Sequence, residues 1–470
     1  MSLAHFEEGW QFLGDTARKV VRQLERKGAS AVEAFFSASR TTEVTIRNSQ
    51  VLTENAIEDM GVGFRVATVD NRVGFACTNI VGNEKALIET GEKAFSIAKL
   101  SPSTPHFALP ANEKSPYVDG LFDKEAANVA VTEFVDVAYR LIHSVEDIDR
   151  RIKAKDGRVS CSYSKKGIVN SFGVDKEADE TYVFAYVLGT GMQNGEVTPS
   201  CYDFELKRNF KLNPEDVGAK VGEMVVAQFN PKPIESFEGT VVFEPEAVSY
   251  QICDALIHAL KGENVVARNS PWVGKIGSAV TSEKLTIVDD GVLEKGFGSR
   301  NFDDEGHPSQ KTVLISNGKL ESFLHHAATA NKLKMKNTGN ASRFNASFEM
   351  AKQIIGNGYK AKPEVYPSNL TIRAGKKDQS QLVSKIKKGL LVGSMAGFVQ
   401  AGSGLISAQL VRAHYVENGQ VKYPVKGGMV TGIAFDWLNQ ISDLANDSKQ
   451  FQNSVVPSIC VENVKVIGSR

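Results

Sequence analysis

The sequence predicts an α+β protein with two similar N-terminal α+β subdomains and a mainly antiparallel β C-terminal domain. Its 470 residues are too many for one hydrophobic core and indicate two or three domains. Helical and alternating patterns follow each other in the same order twice, and glycine-rich, strand-like runs fill the second half. The hydrophobic fraction of 42% and the charged fraction of 23% are typical of soluble globular proteins.

The first segment, residues 1–110, begins with a helix and continues as an antiparallel meander. Apolar residues at helical spacing predict a helix over residues 6–27, with a stop at Gly28. Alternation from Val32 to Thr78 predicts short strands, and a second helix follows over residues 83–99. Prolines at positions 102, 105, 110 and 116 then interrupt any regular element, so we place the first domain boundary there.

The second and third segments are predicted to be residues 118–232 and 236–470. The second repeats the order of the first, with a helix from Lys124 to Ser144, a run of strands and a helix over residues 214–229. The third contains strand-like runs such as KLTIVDD and TVLISNG, with hairpin turns predicted at Gly318 and at Asn418-Gly419. Its mainly antiparallel pattern is interrupted by one clear helix.

Charge and cysteine usage exclude several classes of protein. Lys plus Arg equals Asp plus Glu at 55 each, so no net field attracts nucleic acid or an anionic membrane. The acidic start MSLAHFEEGW does not resemble a signal peptide, and no apolar run approaches the roughly 20 residues of a membrane span. The five cysteines contain no CxxC pair, which argues against a disulfide framework or a zinc ribbon. We therefore expect a cytoplasmic protein that binds neither nucleic acid nor membrane.

The stretch CDALIH places a thiol, a carboxylate and an imidazole on the helix predicted from Glu246 to Leu260. Cys253 and His258 are five residues apart, which sets them about 140° apart around a regular helix. One metal ion could not readily contact both side chains in that arrangement. A widened π-type turn would bring them together, and such turns favour functional sites.

Several motifs, in order along most of the chain, resemble the TldD/PmbA family, also called TldD/TldE and once described as modulators of DNA gyrase. These motifs are GVGFRVATVDNRVGFACTN, LTIVDDG, FDDEGHPSQKTVLISNGKLESFLHH, NTGNASR and PSICVENVKVIG. The resemblance implies the PmbA/TldD-like fold and membership of a metallopeptidase family. The catalytic subunit of that family carries HExxxH on a helix and a further zinc-binding cysteine near its C-terminus.

The family's metal motif is degenerate in this chain. The resemblance places the first histidine on Cys253, the glutamate on Asp254 and the second histidine on His258, so only the last is kept. Aspartate is one methylene shorter than glutamate, so a base at Asp254 would fall short of a metal-bound water unless the backbone shifted. The stretch LANDSKQFQNS, where the C-terminal ligand is expected, has no cysteine, and Cys460 lies beyond it. The resemblance therefore implies no catalytic residue, no metal and no cofactor in this chain, with zinc in a TldD-type partner.

The implied function is that of a PmbA/TldE-type subunit without catalytic activity of its own. Such a subunit pairs with a TldD-like catalytic subunit, with a second copy of itself, or with both, in a cytoplasmic complex acting on peptides or unfolded substrates. One alternative is a self-sufficient metallopeptidase in which Cys253 and His258 bind zinc. Another is a gyrase modulator acting on DNA, which the neutral charge disfavours. In the simplest structural interpretation, Cys253 and Ala255 are small buried residues and His258 is a hydrogen-bonded or exposed polar group.

The motif TGNASR contains candidate substrate-binding residues. Thr338 and Asn340 offer hydrogen-bonding groups to a peptide, and Arg343 could bind a carboxylate. We predict that these three residues contact the substrate.

Two further groups of polar residues are predicted to be structural. His325 and His326 are adjacent, so on a strand they would point to opposite faces, and a solvated pair is expected. Asp303, Asp304 and Glu305 lie in NFDDEGHP, where glycine and proline indicate a turn that serves the fold rather than a cation site.

Overall fold

In the computed structural model, which describes residues 3–343 and 358–469, the N-terminal half of the chain is a long antiparallel sheet with helices on one face. In chain order the elements are α1 (Leu3–Arg26), β1 (Ala31–Arg47), β2 (Gln50–Ala67), β3 (Val73–Thr78), α2 (Glu84–Leu100), α3 (Val131–Glu146), β4 (Ile152–Asn170), β5 (Asp175–Gln193), β6 (Glu196–Val197), β7 (Cys201–Lys207) and α4 (Pro214–Val226). The predicted order of helix, strands and helix therefore occurs twice.

The two N-terminal segments share one sheet. Its strand order is β3-β2-β1-β4-β5-β6, and β7 also pairs with β5. The join is the antiparallel pair β1–β4, which runs in register from Glu33 opposite Asn170 to Arg47 opposite Asp156. The sheet is therefore continuous across the segment boundary that the prolines predict.

Alternation along β1 gives the sheet an apolar face and a polar face. Val32 and Phe36 pack with α1, whose predicted apolar stripe from Phe6 to Leu24 is buried. The ring of Phe36 fits because residue 167 is glycine; a Cβ at Gly167 would lie 2.2 Å from that ring. Alternate residues such as Glu33 turn to the opposite face, on which the C-terminal domain packs.

The C-terminal domain contains many short strands and one long helical segment. Its elements are β8 (Phe237–Phe243), α5 (Pro245–Ala247), α6 (Cys253–Leu260), α7 (Gly262–Val266), β9 (Ile287–Asp290), β10 (Lys311–Ser316), β11 (Lys319–Leu320), α8 (Ala327–Leu333), β12 (Ala341–Ser342), β13 (Glu364–Val365), β14 (Leu370–Ile372), α9 (Gln379–Val383), β15 (Lys388–Gln400), β16 (Leu405–Glu417), β17 (Gln420–Pro424), β18 (Met429–Ile433), α10 (Ala434–Asn439), β19 (Ile441–Leu444), β20 (Lys449–Phe451), β21 (Ser454–Val456) and β22 (Ile459–Ile467).

One C-terminal sheet closes on itself. Its order is β15-β8-β22-β18-β16, and β16 pairs again with β15. A second sheet has the order β11-β10-β9-β14-β21-β20. Most pairs are antiparallel, as predicted, while β8–β15 and β14–β21 are parallel. Apolar residues of α6, including Leu256 and Leu260, pack into the large core of this domain.

The helix boundaries differ from the prediction mainly at α3. The sequence pattern predicts its start at Lys124, whereas the helix begins at Val131. The side chain of Asp123 accepts a hydrogen bond from the Ala126 N–H and starts a separate 3₁₀ turn, after which Ala130 is extended. Among the described residues, no helix is long and apolar enough to cross a membrane.

Candidate functional site

The helical segment that carries CDALIH contains a π-helical turn. The turn spans Val248–Ile252, and the Cys253 N–H donates to the Val248 carbonyl, five residues back. From Cys253 to Leu260 the helix is regular. The turn ends before the interval between Cys253 and His258, so these residues stay about 140° apart. The widened turn exists but does not bring the two side chains together.

Cys253 is part of the hydrophobic core. Its side chain and that of Ala255 are fully buried, in agreement with the structural interpretation of these residues. Burial raises the pKa of the Cys253 thiol to about 12. The thiol is therefore protonated near neutral pH, whereas zinc binds the thiolate.

His258 is held on the other side of the helix. Its Nε2 atom lies 3.2 Å from the backbone carbonyl of Asn269, to which the ring N–H donates. The turn between β15 and β16 lies beside the ring, because a Cβ at Gly402 would lie 3.5 Å from Nε2. The imidazole is a satisfied polar group that contacts two loops.

Asp254 lies at the surface beside Tyr366. Its side chain is accessible to solvent, yet neighbouring protein atoms remove enough water to raise the pKa of the carboxyl to about 6. The charge of Asp254 also adds to burial in raising the pKa of the Tyr366 phenol. Tyr366 precedes Pro367, which lines the cleft described below.

The residues of the degenerate motif do not fit a zinc ion. Structural and catalytic zinc sites use at least three protein ligands in one coordination sphere. Within residues 3–343 and 358–469, no three His, Cys, Asp or Glu side chains converge in this way. Cys460 lies in the strand β22, where burial raises the pKa of its thiol to about 11. Asp447, in the stretch where the family's C-terminal ligand is expected, accepts hydrogen bonds from the backbone and hydroxyl of Ser458.

The prediction of a solvated histidine pair is wrong, because His325 and His326 are both buried. His326 is the N-cap of α8, and its Nδ1 accepts a hydrogen bond from the Thr329 N–H at 3.1 Å. Its Nε2 lies 3.4 Å from Glu263. Burial lowers the pKa of His325 to about 4, and its ring is neutral at neutral pH. The start of α8 is therefore inside the domain, with both histidines.

A buried network of charged side chains joins the N-terminal sheet to the C-terminal domain. Glu33 on β1 accepts hydrogen bonds from Arg65 on β2, at 2.7 Å, and from Arg343 of the C-terminal domain. Arg65 also donates to Glu305, at 2.7 Å. All four residues are at least nine-tenths buried. The network therefore fixes the position of the C-terminal domain on the polar face of the sheet.

The three predicted substrate-binding residues are buried next to this network. Arg343 donates to Glu33, to the Ala361 carbonyl at 2.6 Å and to the Asp304 carbonyl at 3.3 Å. Thr338 donates to the Asn340 side chain at 2.7 Å, and Asn340 donates to Asp289 at 2.7 Å. The three residues lie close together, but the hydrogen bonds described here are made to other protein groups.

The acidic turn of NFDDEGHP organises the same region. Asp303 accepts backbone hydrogen bonds from Glu305 and His307 through one carboxylate oxygen and from Ala341 through the other. Glu305 accepts one from the Ala327 N–H at the start of α8. Asp303 and Glu305 are fully buried and Asp304 is half-buried, and the turn holds together three segments of the C-terminal domain, which is the structural role predicted for it.

A cleft of about 370 Å³ lies between the sheet and the C-terminal domain. Its walls are polar on both sides with a few aromatic rings. The sheet contributes Phe35, Ser37, Ser164, Lys165, Lys166, Glu180 and Tyr182, and the C-terminal domain contributes Phe297, Ser299, Arg300, Asp304, Ser342, Arg343, Ser368 and Asn453. Volumes of this size are typical of small-ligand sites, so the cleft is the candidate functional site.

The charges in the cleft are held by neighbouring side chains. Burial opposes the ionisation of Glu180, but Lys166 at 3.0 Å and the nearby Arg208 lower the pKa of the carboxyl to about 2. The guanidinium of Arg208 also stacks on the ring of Tyr182, 3.9 Å from its centroid. These residues were not among the predicted site residues, although the alternation of polar residues along β4 and β5 is a signal that could have found those on the two strands.

The chain is similar in sequence to proteins of one known family. Residues 32–98 match the model of PmbA/TldA metallopeptidase domain 1, and residues 236–468 match the PmbA/TldA metallopeptidase C-terminal domain. An uncharacterized protein of Methanocaldococcus jannaschii is 28% identical, over 94% of this chain and 97% of its own length. The metalloprotease PmbA of Escherichia coli O157:H7 is 24% identical, over 97% of each chain.

The fold has a close structural relative. TldE from Thermococcus kodakarensis superposes with a TM-score of 0.85, covering 96% of this chain and 100% of that chain, at 22% sequence identity. This likeness establishes the PmbA/TldD-like fold with its β-rich C-terminal domain. Together with the two matching family models, it leads to one conclusion: the chain belongs to the TldD/PmbA family of metallopeptidases.

Proposed function

We propose that this chain is a non-catalytic, PmbA/TldE-type subunit of a cytoplasmic TldD/TldE metallopeptidase complex. The observation that carries the proposal is the geometry of CDALIH. The thiol of Cys253 points into the core, and the imidazole of His258, about 140° away, donates to a backbone carbonyl. In this proposal the zinc and the catalytic base belong to a TldD-type partner.

The ligand in this proposal is a peptide or an unfolded segment. The cleft combines hydrogen-bonding groups with the rings of Tyr182 and Phe297, a mixture that suits the backbone and side chains of an extended chain. Its volume of about 370 Å³ admits only a few residues at a time. Arg343, which lines the cleft, contributes as a wall residue held by Glu33.

The partner in this proposal is a TldD-like catalytic subunit, a second copy of this chain, or both. A stable pair needs a surface that buries on the order of 1,200 Å² or more. The β15–β16 hairpin is one candidate region, because Phe398 near the end of β15 is 61% exposed and Leu405 at the start of β16 is 38% exposed. The equal numbers of acidic and basic residues give no support to DNA as the partner.

The test is a metal analysis and a peptidase assay with and without the HExxxH partner. We expect the purified chain to hold no stoichiometric zinc and to cleave no peptide alone, and we expect it to raise the turnover of the partner. About one zinc per chain, lost in Cys253→Ala, would instead establish the self-sufficient enzyme. Full activity of the partner without this chain would refute the subunit role.

A further inference from the structure

The cleft contains a buried arginine whose hydrogen bonds are incomplete. Arg300 is 8% exposed and lines the cleft. Its Nη1 lies 3.4 Å from Asp304 and its Nη2 lies 3.4 Å from the Gly339 carbonyl, both long for such bonds. Its buried Nε has no hydrogen-bond partner within residues 3–343 and 358–469. Buried guanidinium donors are normally satisfied, so Arg300 has capacity for a further acceptor.

Arg343 in the same cleft is different. It donates at 2.6 Å to the Ala361 carbonyl and also to the carboxylate of Glu33, while its guanidinium lies over the ring of Phe35. A ligand carboxylate at Arg343 would have to displace Glu33, which also pairs with Arg65. Of these two arginines, Arg300 is therefore the one suited to bind a ligand.

Asn453 supplies a complementary acceptor in the same cleft. Its Nδ2 donates to the carbonyls of Pro367, at 3.0 Å, and Ser368, at 2.7 Å, and these two bonds fix which end of the amide is the oxygen. Its Oδ1 is buried and has no partner in the described part of the chain. The loop before Arg300 adjoins this amide, since a Cβ at Gly298 would lie 2.6 Å from Nδ2.

The charge of the cleft favours an anionic group. Four cations, Lys165, Lys166, Arg300 and Arg343, line it against two carboxylates, Glu180 and Asp304. Lys165 is already paired with Glu7 and Asp179, and three cations remain against the two carboxylates. A carboxylate is planar and accepts two parallel N–H bonds from a guanidinium, which is the pairing that an arginine with a free Nε can provide.

We propose that Arg300 and Asn453 form a subsite that binds a carboxylate-bearing peptide. The carboxylate accepts hydrogen bonds from the guanidinium of Arg300, and a backbone N–H of the same peptide donates to Oδ1 of Asn453. This inference rests on the proposed function for the choice of a peptide as ligand. In this proposal Arg300, and not Arg343 as predicted from the sequence, binds the carboxylate.

The experiment measures binding to the isolated chain by titration calorimetry with three probes. N-acetyl-Ala-Ala-Phe is used as the free acid and as the C-terminal amide, and N-acetyl-Asp-Ala-Phe amide carries its carboxylate on a side chain. We expect one acidic probe, or both, to bind on the order of tenfold to a hundredfold more tightly than the neutral amide, the range for a hydrogen bond to a charged group. The preferred acidic probe identifies a C-terminal or a side-chain carboxylate as the ligand.

Three variants assign the effect to named atoms. Arg300→Gln should remove most of the preference for the acidic probe over the neutral amide. Arg300→Lys keeps the charge but not the fork of donors and should retain only part of the preference. Asn453→Ala should weaken acid and amide probes by a similar factor, and Arg140→Gln on the exposed face of α3 is the matched control.

Two results would overturn the subsite. The first is equal binding of the acidic and neutral probes by the unaltered chain, and the second is no detectable binding of any probe. Thermal unfolding of each variant separates a lost contact from a lost fold, and Arg300→Lys keeps the test valid if Arg300→Gln fails to fold. Because the readout needs no catalytic partner, failure here is distinguishable from failure of the subunit to pair with or activate such a partner.

Discussion

Replacing Glu33 by glutamine should strongly destabilise the attachment of the C-terminal domain to the N-terminal sheet. Glu33 is fully buried and carries the negative charge that faces both Arg65 and Arg343. Glutamine has nearly the same shape, so no cavity forms, but the carboxylate that two guanidiniums share is lost. Breaking a buried ion pair by removing one partner costs about 3 to 5 kcal/mol.

That cost is large compared with the roughly 5 to 15 kcal/mol by which folded domains are stable. The assay is urea unfolding of wild type and Glu33→Gln, followed by far-UV circular dichroism and by tryptophan fluorescence. Two of the three tryptophans, Trp272 and Trp437, lie in the C-terminal domain, so fluorescence reports mainly on that part. We expect a loss of about 3 kcal/mol or more, with the two signals no longer changing together.

The matched control is Glu43→Gln on the same strand and the same face. Glu43 is also buried, but its pair with Arg158 is longer, at 3.4 Å, and lies within the N-terminal sheet. We expect a cost of about 1 kcal/mol there, the net value of an ordinary polar contact. If both variants lose the same stability, or if Glu33→Gln loses less than about 1 kcal/mol, the network does not hold the domains together.

Three further predictions concern the helix with CDALIH and its surroundings. Asp254→Asn should stabilise the protein above about pH 6 and have no effect below about pH 4, because the pKa of about 6 in the folded state makes ionisation of Asp254 unfavourable to folding. The free energy of unfolding of both proteins, measured from pH 4 to 8, checks this. A difference between the two proteins that does not change with pH would contradict it. Cys253→Ala and His258→Gln should each lower the free energy of unfolding by about 0.5 to 3 kcal/mol. The turnover of the paired complex should change no more than this loss of stability explains. Abolished turnover in a variant that still folds would contradict a non-catalytic helix. Gly262→Ala should lower the free energy of unfolding by about 1 to 3 kcal/mol, because its Cβ would lie 2.5 Å from Nδ1 of His325. An unchanged midpoint of chemical unfolding would mean that the neighbouring loop moves away without cost.

Local pattern was sufficient to predict much of the fold. The apolar stripe from Phe6 to Leu24 predicts α1, and the order of helix, strands and helix predicts two similar subdomains. Pattern could not predict the pairing of β1 with β4, because strands more than 100 residues apart leave no local signal of their contact. The late start of α3 at Val131 depends on a side-chain hydrogen bond of Asp123, which hydrophobic periodicity does not record.

The site was harder to predict for the same reason. Burial of Cys253 and Ala255 follows from the helical stripe and is confirmed. The burial of His325 and His326 was missed because it depends on the capping of α8 and on Glu263, 63 residues away from His326. The cleft unites residues of β1, β4 and β5 with several separate stretches of the C-terminal domain, so no single stretch of sequence contains it.

The shared sheet constrains how the chain can be cut. A fragment that ends after the proline-rich segment at residue 110 would lose β4 and leave the edge of β1 unpaired from Glu33 to Arg47. Open edges of this length invite pairing with other chains, and the buried Phe35 and Glu33 would be uncovered with it. Expressed alone, such a fragment should form aggregates or strand-exchanged oligomers. A fragment covering residues 1–232 keeps every described strand of this sheet and should not expose the edge of β1.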